Sequence, residues 1–288
     1  MINWSVVFRY VIIFRYMNKI YKSKTFIVFI ACIFIFIYVS VRPTNTANWS
    51  PDQQVLQSAE INSNLVTIHN VRNFRYTSEN DYTPAYYDKT YDVSKIKSVD
   101  YIVEPFGDFS GAAHTFLSFG FNDNTYVAIS VEIRKKKGQT FSPWLTFLKQ
   151  YELMYVVADE QDVVKLRTNY RKDNVYMYPT RIDQAHAQKL FLSMIQRVNE
   201  LHDKPEFYNL LTNTCTTNIV RHVNEISETK VPFSYRVFMP GYSDKLAYDL
   251  GLLDTTLPYD QIRKAYQIND KAMKYATSSY FSIKIREK

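Results

Sequence analysis

An apolar run from Phe26 to Val41 limits what this chain can fold into more than any other sequence feature. A membrane-spanning helix needs about 20 apolar residues, and roughly 17 is the lower limit. The run reaches this length when its flanks are included, so it predicts one transmembrane helix over residues 25–42. The remaining residues, 43–288, are enough for one sizeable domain or two small ones.

The charges that flank this run predict its orientation. A polar segment, Pro43 to Asn48, follows the run, and three lysines precede it: Lys19, Lys22 and Lys24. By the positive-inside rule, residues 1–24 form a cytoplasmic basic segment and residues 43–288 lie across the membrane. A cleaved signal peptide is the alternative, although no small-x-small cleavage site follows the run. Met17 is a candidate start, because it would give a conventional basic segment before the run.

The excess of positive charge belongs to the N-terminal segment and not to the rest of the chain. Of the 35 lysines and arginines, six lie in residues 1–42, which hold no acidic residue. The other 29 nearly balance the 28 acidic residues. Nucleic-acid binding requires a basic surface, so we exclude nucleic acid as the main partner.

The order of elements after residue 43 predicts an α+β domain, in which an antiparallel sheet packs against helices. Two alternating segments, 112–121 and 125–135, flank Asn122-Asp123-Asn124 and predict a hairpin. Residues 76–91 are rich in Tyr, Asp and Pro and predict an ordered loop. The predicted strands cover residues 61–75, 99–106 and 153–158 besides the hairpin, extended segments cover 163–170 and 175–179, and helices cover 52–58, 144–151, 183–201, 261–276 and a stretch that begins at 215.

Cys215 lies where a loop rich in Asn and Thr becomes an amphipathic helix. Thr212, Asn213 and Thr214 are natural N-cap residues, so the cysteine falls in or near the first helical turn. The free N–H groups and partial positive charge of a helix N-terminus stabilise a thiolate and lower the pKa of the thiol. The other cysteine, Cys32, lies in the apolar run, so no disulfide within the domain is expected. The sequence therefore predicts a reactive thiol at Cys215.

A cysteine nucleophile needs a base, and His114 is the best candidate among the five histidines. It follows small residues in a predicted strand, which leave open space for a substrate. His222 is two helical turns beyond Cys215, roughly 10 Å along the axis, and is too far for a hydrogen bond.

The neighbouring predicted strand supplies polar side chains that could orient His114. Ser130, Glu132 and Arg134 share one face of that strand, since alternate residues point to the same side. If the two strands pair through the Asn122–Asn124 turn, Ser130 or Glu132 reaches His114. Asn213 is a candidate amide donor for an oxyanion, together with the backbone N–H of Cys215.

Simpler interpretations of these residues stay open. A lone cysteine is often an inert small hydrophobe, and a strand histidine is often a satisfied core residue. Glu132 and Arg134 could form an ion pair on a solvated face. No His-x-x-x-His pair, phosphate loop or dinucleotide fingerprint is present, so we predict neither a metal nor another cofactor.

Several segments, in the same order, resemble the N-terminal periplasmic domain family of Lnb, a bacterial lipoprotein N-acyltransferase. The similarity covers roughly residues 98–250 and leaves a linker and extension over 43–97 and a helical tail over 251–288. The acyltransferase carries further membrane helices after this domain, whereas this chain ends in a charged tail. The segments that carry the resemblance are His114–Phe119, Ser130–Arg134, Tyr151–Glu160 and Asn213–Thr217.

The resemblance implies a Cys–His thiol site, which falls on Cys215 and His114. Histidine strand first and cysteine helix later is also similar to circularly permuted papain-like folds. We expect Glu132 and Ser130 to assist the histidine. We expect the substrate to contact Asn213, Arg134 and Tyr208.

The function expected from this resemblance is that of a thiol acyltransferase or hydrolase, single-pass in the bacterial inner membrane, with residues 43–288 in the periplasm. Its substrates would be lipoprotein, lipid or peptide acyl groups, resolved from Cys215 by water or an amine. A papain-like cell-wall peptidase or amidase is one alternative. A non-catalytic, membrane-anchored binding module is the other.

Overall fold

Four antiparallel strands form the centre of the domain, in a computed structural model that describes residues 4–287. They are β6 (Ile96–Pro105), β7 (Ala113–Phe121), β8 (Tyr126–Arg134) and β9 (Glu152–Ala158). β7 and β8 pair through the predicted hairpin, with Phe116 opposite Ser130. Asn124 closes that turn at φ 63°, a left-handed conformation that asparagine tolerates better than most residues.

The complete sheet is mixed, which modifies the predicted antiparallel arrangement. Its order is β1-β2-β9-β8-β7-β6-β10, and β5 also pairs with β2. β2 joins β9 in parallel, with Arg72 opposite Ala158, while the other pairs in this sheet are antiparallel. The remaining strands are β1 (Ser58–Asn62), β2 (Leu65–Arg72), β3 (Arg75–Tyr76), β4 (Tyr82–Thr83), β5 (Tyr86–Asp92) and β10 (Tyr176–Pro179), of which β3 and β4 form a separate ribbon.

Helices cover both faces of the sheet. On one face, α4 and α5 pack Phe191 and Ile219 against Leu117 and Ile129. On the other, α3 and α10 pack against Phe116 and its neighbours. The sheet is therefore buried on both sides, and open space occurs where its strands end. The helices of this domain are α2 (Pro143–Phe147), α3 (Glu160–Lys165), α4 (Gln184–Asp203), α5 (Cys215–Ile226), α6 (Tyr235–Phe238), α7 (Ser243–Asp249), α8 (Tyr259–Tyr266), α9 (Asn269–Lys274) and α10 (Phe281–Lys284).

Three of the predicted segments are wrong in type. Residues 163–170 are not extended: α3 continues into a π-helix, Leu166–Arg171. The β-branched Val163 and Val164 that suggested a strand are both buried under the sheet, so tertiary packing overrides their local preference. Residues 76–91 contain β4 and most of β5, and residues 52–58 hold only a 3₁₀ turn, Pro51–Gln53, before β1 begins.

The N-terminal helix is a separate unit. The chain divides into residues 1–43 and residues 44–288, so all three segments expected after residue 43 fall in one compact unit. The first unit is α1 (Trp4–Ser40). Within it, Ser23–Ser40 is long and apolar enough to cross a membrane. This agrees with the predicted span, which is consistent with a membrane anchor and also with a signal sequence.

Candidate functional site

Helix α5 places Cys215 at its first residue, as the sequence predicted. Thr214 is the N-cap: its hydroxyl accepts a hydrogen bond from the backbone N–H of Thr217. The Thr217 hydroxyl accepts in turn from the backbone N–H of Thr214, which completes a capping box. Cys215 is a free thiol, and only 4% of the residue is exposed.

Strand β7 holds His114 within reach of two polar side chains of β8. The His114 Nε2 atom lies 2.7 Å from the Ser130 Oγ atom and 3.3 Å from a Glu132 carboxylate oxygen. Ser130 donates a hydrogen bond of 2.7 Å to the same carboxylate. The hairpin register therefore brings together three residues that the sequence proposed as partners.

Arg167 supports the carboxylate from the other side. Its guanidinium lies 2.7 Å from Glu132 and 2.5 Å from Glu104. It also stacks on the ring of Phe116, with 4.9 Å between the guanidinium carbon and the ring centre. Arg167 thus pairs with two carboxylates at once. Its positive charge compensates the negative charge of Glu132, which therefore stays ionised.

The electrostatics of this group favour a charged histidine. Burial opposes ionisation of Glu132, but the charges of His114 and Arg167 outweigh it and hold its pKa well below the usual value. Burial also disfavours a protonated His114. The Glu132 charge and hydrogen bonds to Cys215 and Glu132 nevertheless raise the pKa of His114 to about 10.

The pKa of the Cys215 thiol shifts in the opposite direction, downward. Burial raises the pKa of Cys215, yet a hydrogen bond with His114, the positive charge of that ring and hydrogen bonds from Thr115 together lower it below the usual value. Nε2 of His114 is already engaged by Ser130 and Glu132, so Nδ1 is the nitrogen left for the thiol. A thiolate beside an imidazolium is the form in which a cysteine acts as a nucleophile.

A cleft of about 510 Å³ opens beside these residues. Cys215, His114 and Glu132 line it, so the paired groups are reachable from outside. Tyr208 lines it as well. This is the region where charge on a carbonyl oxygen would develop during attack by the thiol.

Two of the predicted substrate contacts are placed elsewhere. Asn213 donates to the backbone carbonyl of Phe207 at 3.0 Å, and its own carbonyl accepts from Asn218 at 2.9 Å. Its amide braces the loop before α5, so it is not free to bind an oxyanion. The short turn before the cap requires this bracing, which residue type alone does not reveal.

Arg134 is also away from the cleft, although it shares a strand face with Glu132. It is 2% exposed and donates to the backbone carbonyls of Gln53 and Gln54 at 2.9 Å each. It also lies over the ring of Trp49. Arg134 therefore fixes the segment that enters the domain, and its place at the last residue of β8 explains why it lies beyond the site.

Sequence reasoning missed Arg167, Glu104 and Thr115. Arg167 lies in residues 163–170, for which the sequence predicts an extended segment, and that prediction gives its side chain no direction toward Glu132. Glu104 was visible as the one acidic residue in the apolar strand Tyr101–Pro105, a signal that it has a buried partner. Thr115 is adjacent to His114, and its hydroxyl also lies 2.9 Å from that of Thr216.

A second cavity, of about 300 Å³ and largely apolar, lies between α4, α5 and α7. Thr216 and Ile219 contribute to its wall. Among the described residues, no group of three His, Cys, Asp or Glu side chains could hold a metal ion.

Comparison with known proteins gives one match. The family model of the Lnb N-terminal periplasmic domain matches residues 82–241, which is more than half of the chain and contains Cys215, His114 and Glu132. No curated protein and no solved structure matches the chain. The resemblance seen in the sequence motifs is confirmed.

Proposed function

We propose a function from one premise: the chain belongs to the Lnb N-terminal periplasmic domain family. The family makes this a periplasmic domain, and the apolar helix of Ser23–Ser40 is consistent with a single-pass membrane protein. The function that the site supports best is that of a membrane-anchored thiol acyltransferase or hydrolase. The observation that carries it is that Cys215 and His114 line one cleft, in which Ser130 and Glu132 hold the histidine ring.

In the proposed reaction the Cys215 thiolate attacks the carbonyl carbon of an ester or amide. The bond to the leaving alcohol or amine then breaks, and protonated His114 gives its proton to that leaving group. The product is an acyl thioester on Cys215. Water or an amine next attacks the thioester, His114 takes the proton released, and the thiolate is restored.

Two groups are suited to the oxygen that becomes negative in this step. The backbone N–H of Cys215 lies at the N-terminus of α5, where the helix dipole favours negative charge. Tyr208 lines the same cleft as Cys215, so a substrate oxygen placed there could accept from its hydroxyl and from that N–H. Asn213, the donor first expected, is replaced in this role by Tyr208.

Glu132 and Ser130 are positioning residues in this scheme. They bind the Nε2 atom of His114, which leaves Nδ1 available for the thiol and stabilises the charged ring. Arg167 in turn fixes Glu132. The arrangement of a cysteine helix packed on a histidine strand supports a permuted papain-like relationship, which we propose from this geometry and the order of the two residues.

Family membership favours lipoprotein or lipid acyl groups as substrates. A peptide amide is the second candidate, because charged side chains line much of the cleft, among them Arg72, Arg171 and Asp173. Such a wall suits a polar substrate at least as well as a hydrocarbon chain. The two candidates differ in the bond broken, and both pass through the same thioester.

The test is to trap the thioester in the full chain, solubilised in detergent. A Cys32→Ser background leaves Cys215 as the only thiol. After brief exposure to a p-nitrophenyl fatty-acid ester and an acid quench, intact mass spectrometry should show one acyl group. Hydroxylamine should remove it, as expected of a thioester.

The matched variants are Cys215→Ala and His114→Ala. The first should carry no acyl group, and the second should acylate at least about tenfold more slowly at neutral pH. Diacylated lipopeptides and wall-type peptides, tested next as donors, separate the two substrate classes. A chain that never acylates, or that acylates equally without Cys215, would overturn the proposed enzymatic function and favour a binding module.

A further inference from the structure

Four loop segments lie at one edge of the sheet. Because β6 to β9 are antiparallel, the connections 106–112 and 135–151 emerge on the same side. The loop 209–214 lies beside them, because Tyr208, the residue just before it, donates from its N–H to the Tyr151 carbonyl. The segment 233–242 joins through a bond from Gly241 N–H to the Gly111 carbonyl. We call these four segments the cleft edge.

Large apolar side chains are exposed along the whole cleft edge. Phe233 is 91% exposed and Trp144 is 78% exposed, values that leave nearly the entire ring in solvent. Each of the four segments contributes at least one such residue, and two further exposed rings, Phe106 and Phe141, also line the cleft that contains Cys215. The six most exposed are Phe109, Trp144, Leu148, Leu211, Phe233 and Tyr235. Exposed apolar surface on this scale marks an interaction site.

The charge of the cleft edge is mostly positive. Residues 135–151 contain four lysines and no acidic residue, and Lys136 and Lys137 are exposed. The segments 209–214 and 233–242 also lack acidic residues, so Asp108 is the one acid in the four segments. Aromatic rings beside lysines are the combination that binds the interface of a bilayer with anionic headgroups.

The chain also enters the domain at this edge. The carbonyl of Asn48 accepts from the N–H of Lys137, and Trp49 forms a bridge with Lys136. In the sequence, the candidate span ends at Ser40, only a few residues earlier. The entry point of the chain and the exposed rings are therefore on the same side of the domain.

From these observations we infer that the cleft edge is a membrane-docking surface, which inserts its aromatic side chains into the interface of an anionic bilayer. The side of the cleft that Phe106 and Phe141 line is then next to the lipid surface. A protein partner would also cover apolar rings, but it would not account for both the lysines and the entry of the chain at this edge. The inference does not depend on the thiol chemistry.

Lipid quenching of tryptophan fluorescence tests this surface in the full chain. The protein has three tryptophans, and Trp49 is buried. A Trp4→Phe variant, reconstituted in vesicles of phosphatidylcholine and phosphatidylglycerol, therefore reports mainly on Trp144. Brominated acyl chains should remove most of the Trp144 emission, and a further Trp144→Phe change should abolish the quenching.

The matched control moves the tryptophan to the opposite edge. Asn122 is exposed in the β7–β8 turn, so Asn122→Trp in the variant without Trp4 and Trp144 should show no quenching. Omitting phosphatidylglycerol, or Lys136→Gln with Lys137→Gln, should reduce the quenching of Trp144. Equal emission in brominated and ordinary vesicles, or equal quenching from both edges, would overturn the inference.

Discussion

His114 and His222 are each hydrogen-bonded to a serine that donates to a glutamate. His114 lies 2.7 Å from Ser130, which binds Glu132. His222 lies 2.7 Å from Ser193, which donates to Glu225 at 2.7 Å. The pKa values of the two rings nevertheless move in opposite directions: that of His114 rises to about 10 and that of His222 falls to about 4.

The difference lies in the carboxylate and in the neighbouring arginines. The Glu132 side chain is 21% exposed and that of Glu225 is 51% exposed, so water screens the second charge more strongly. Burial lowers the pKa of His222, and Glu225 does not compensate because Arg221 and Arg197 also oppose a proton there. At His114 the arginine that opposes a proton, Arg167, is already paired with Glu104.

The comparison shows that residue types alone do not make a catalytic histidine. Both groups contain His, Ser and Glu, and helix α5 connects them, since it carries Cys215 at its first turn and His222 near its end. Of the two histidines, only His114 lines the charged cleft, which Cys215 lines too. His222 is enclosed, with Tyr155 2.9 Å from its other nitrogen, and stabilises the core as a neutral ring.

The largest effect is expected from His114→Ala. Removing the ring takes away the hydrogen bond and charge that lower the pKa of Cys215, and burial then raises that pKa. Each unit of change reduces the thiolate about tenfold at neutral pH. We expect iodoacetamide to alkylate the thiol more slowly by roughly tenfold or more, with the midpoint of its pH profile displaced upward.

The control for this change is His186→Ala, which removes an exposed histidine of α4 that pairs with Asp183. It should leave the alkylation profile unaltered. A thiol that titrates normally and identically in both variants would show that Cys215 and His114 are not coupled.

A smaller effect is expected from Glu132→Gln, and Glu225→Gln is its counterpart at the other histidine. Loss of the Glu132 charge should lower the pKa of His114 from about 10, which in turn raises that of the thiol. The alkaline limit of any acylation activity should therefore move to lower pH. Glu225→Gln should leave both profiles unchanged, and equal shifts in the two variants would break the distinction drawn between the sites.

The pH dependence of stability separates the two rings further. His222 has a folded pKa of about 4, below its unfolded value of about 6.5, so the unfolded chain binds its proton first. Stability is therefore lost as the pH falls from 6.5 toward 4, by on the order of 2–3 kcal/mol. Urea unfolding across this range should show the loss, and His222→Gln should reduce its slope.

The sign is opposite for the other histidine. Because the folded pKa of His114 is raised to about 10, its contribution is complete below pH 6.5 and disappears as the pH rises through 10. Glu132, whose pKa is depressed, contributes above its unfolded value and loses this in strong acid. A stability profile that stays flat between pH 8 and 10, and unaltered in His114→Ala, would contradict the assignment.

The smallest effect is expected from Thr214→Ala at the start of α5. It removes the N-cap hydroxyl and one side of the capping box, at a cost of about 1 kcal/mol. The thiol pKa should rise slightly because the first turn loosens, while the titration of His222 stays the same. Chemical denaturation measures the loss of stability, and the alkylation profile measures the shift in the thiol pKa. A shift in the pKa of His222 would contradict the expectation, because it would show that the effect of losing the cap extends along the helix.

Local pattern was enough to predict the hairpin of β7 and β8 and the first turn of α5. Alternation of side chains fixed which residues share a strand face, and the Asn122–Asn124 turn set the register that brings Ser130 and Glu132 to His114. The threonines before Cys215 marked the start of the helix because capping is also a local contact, between residues three apart. The apolar run likewise predicted the N-terminal helix.

Tertiary structure decided what depends on contacts between distant residues. Arg134 shares a face with Glu132 but binds the entering chain, and Asn213 braces a loop instead of facing the cleft. Arg167 reaches Glu132 only because residues 160–171 turn helical under the sheet. The opposite pKa shifts of His114 and His222 follow from burial and from neighbours far away in the sequence. Electrostatic energy depends on distance and solvent exposure, which the order of residues does not specify.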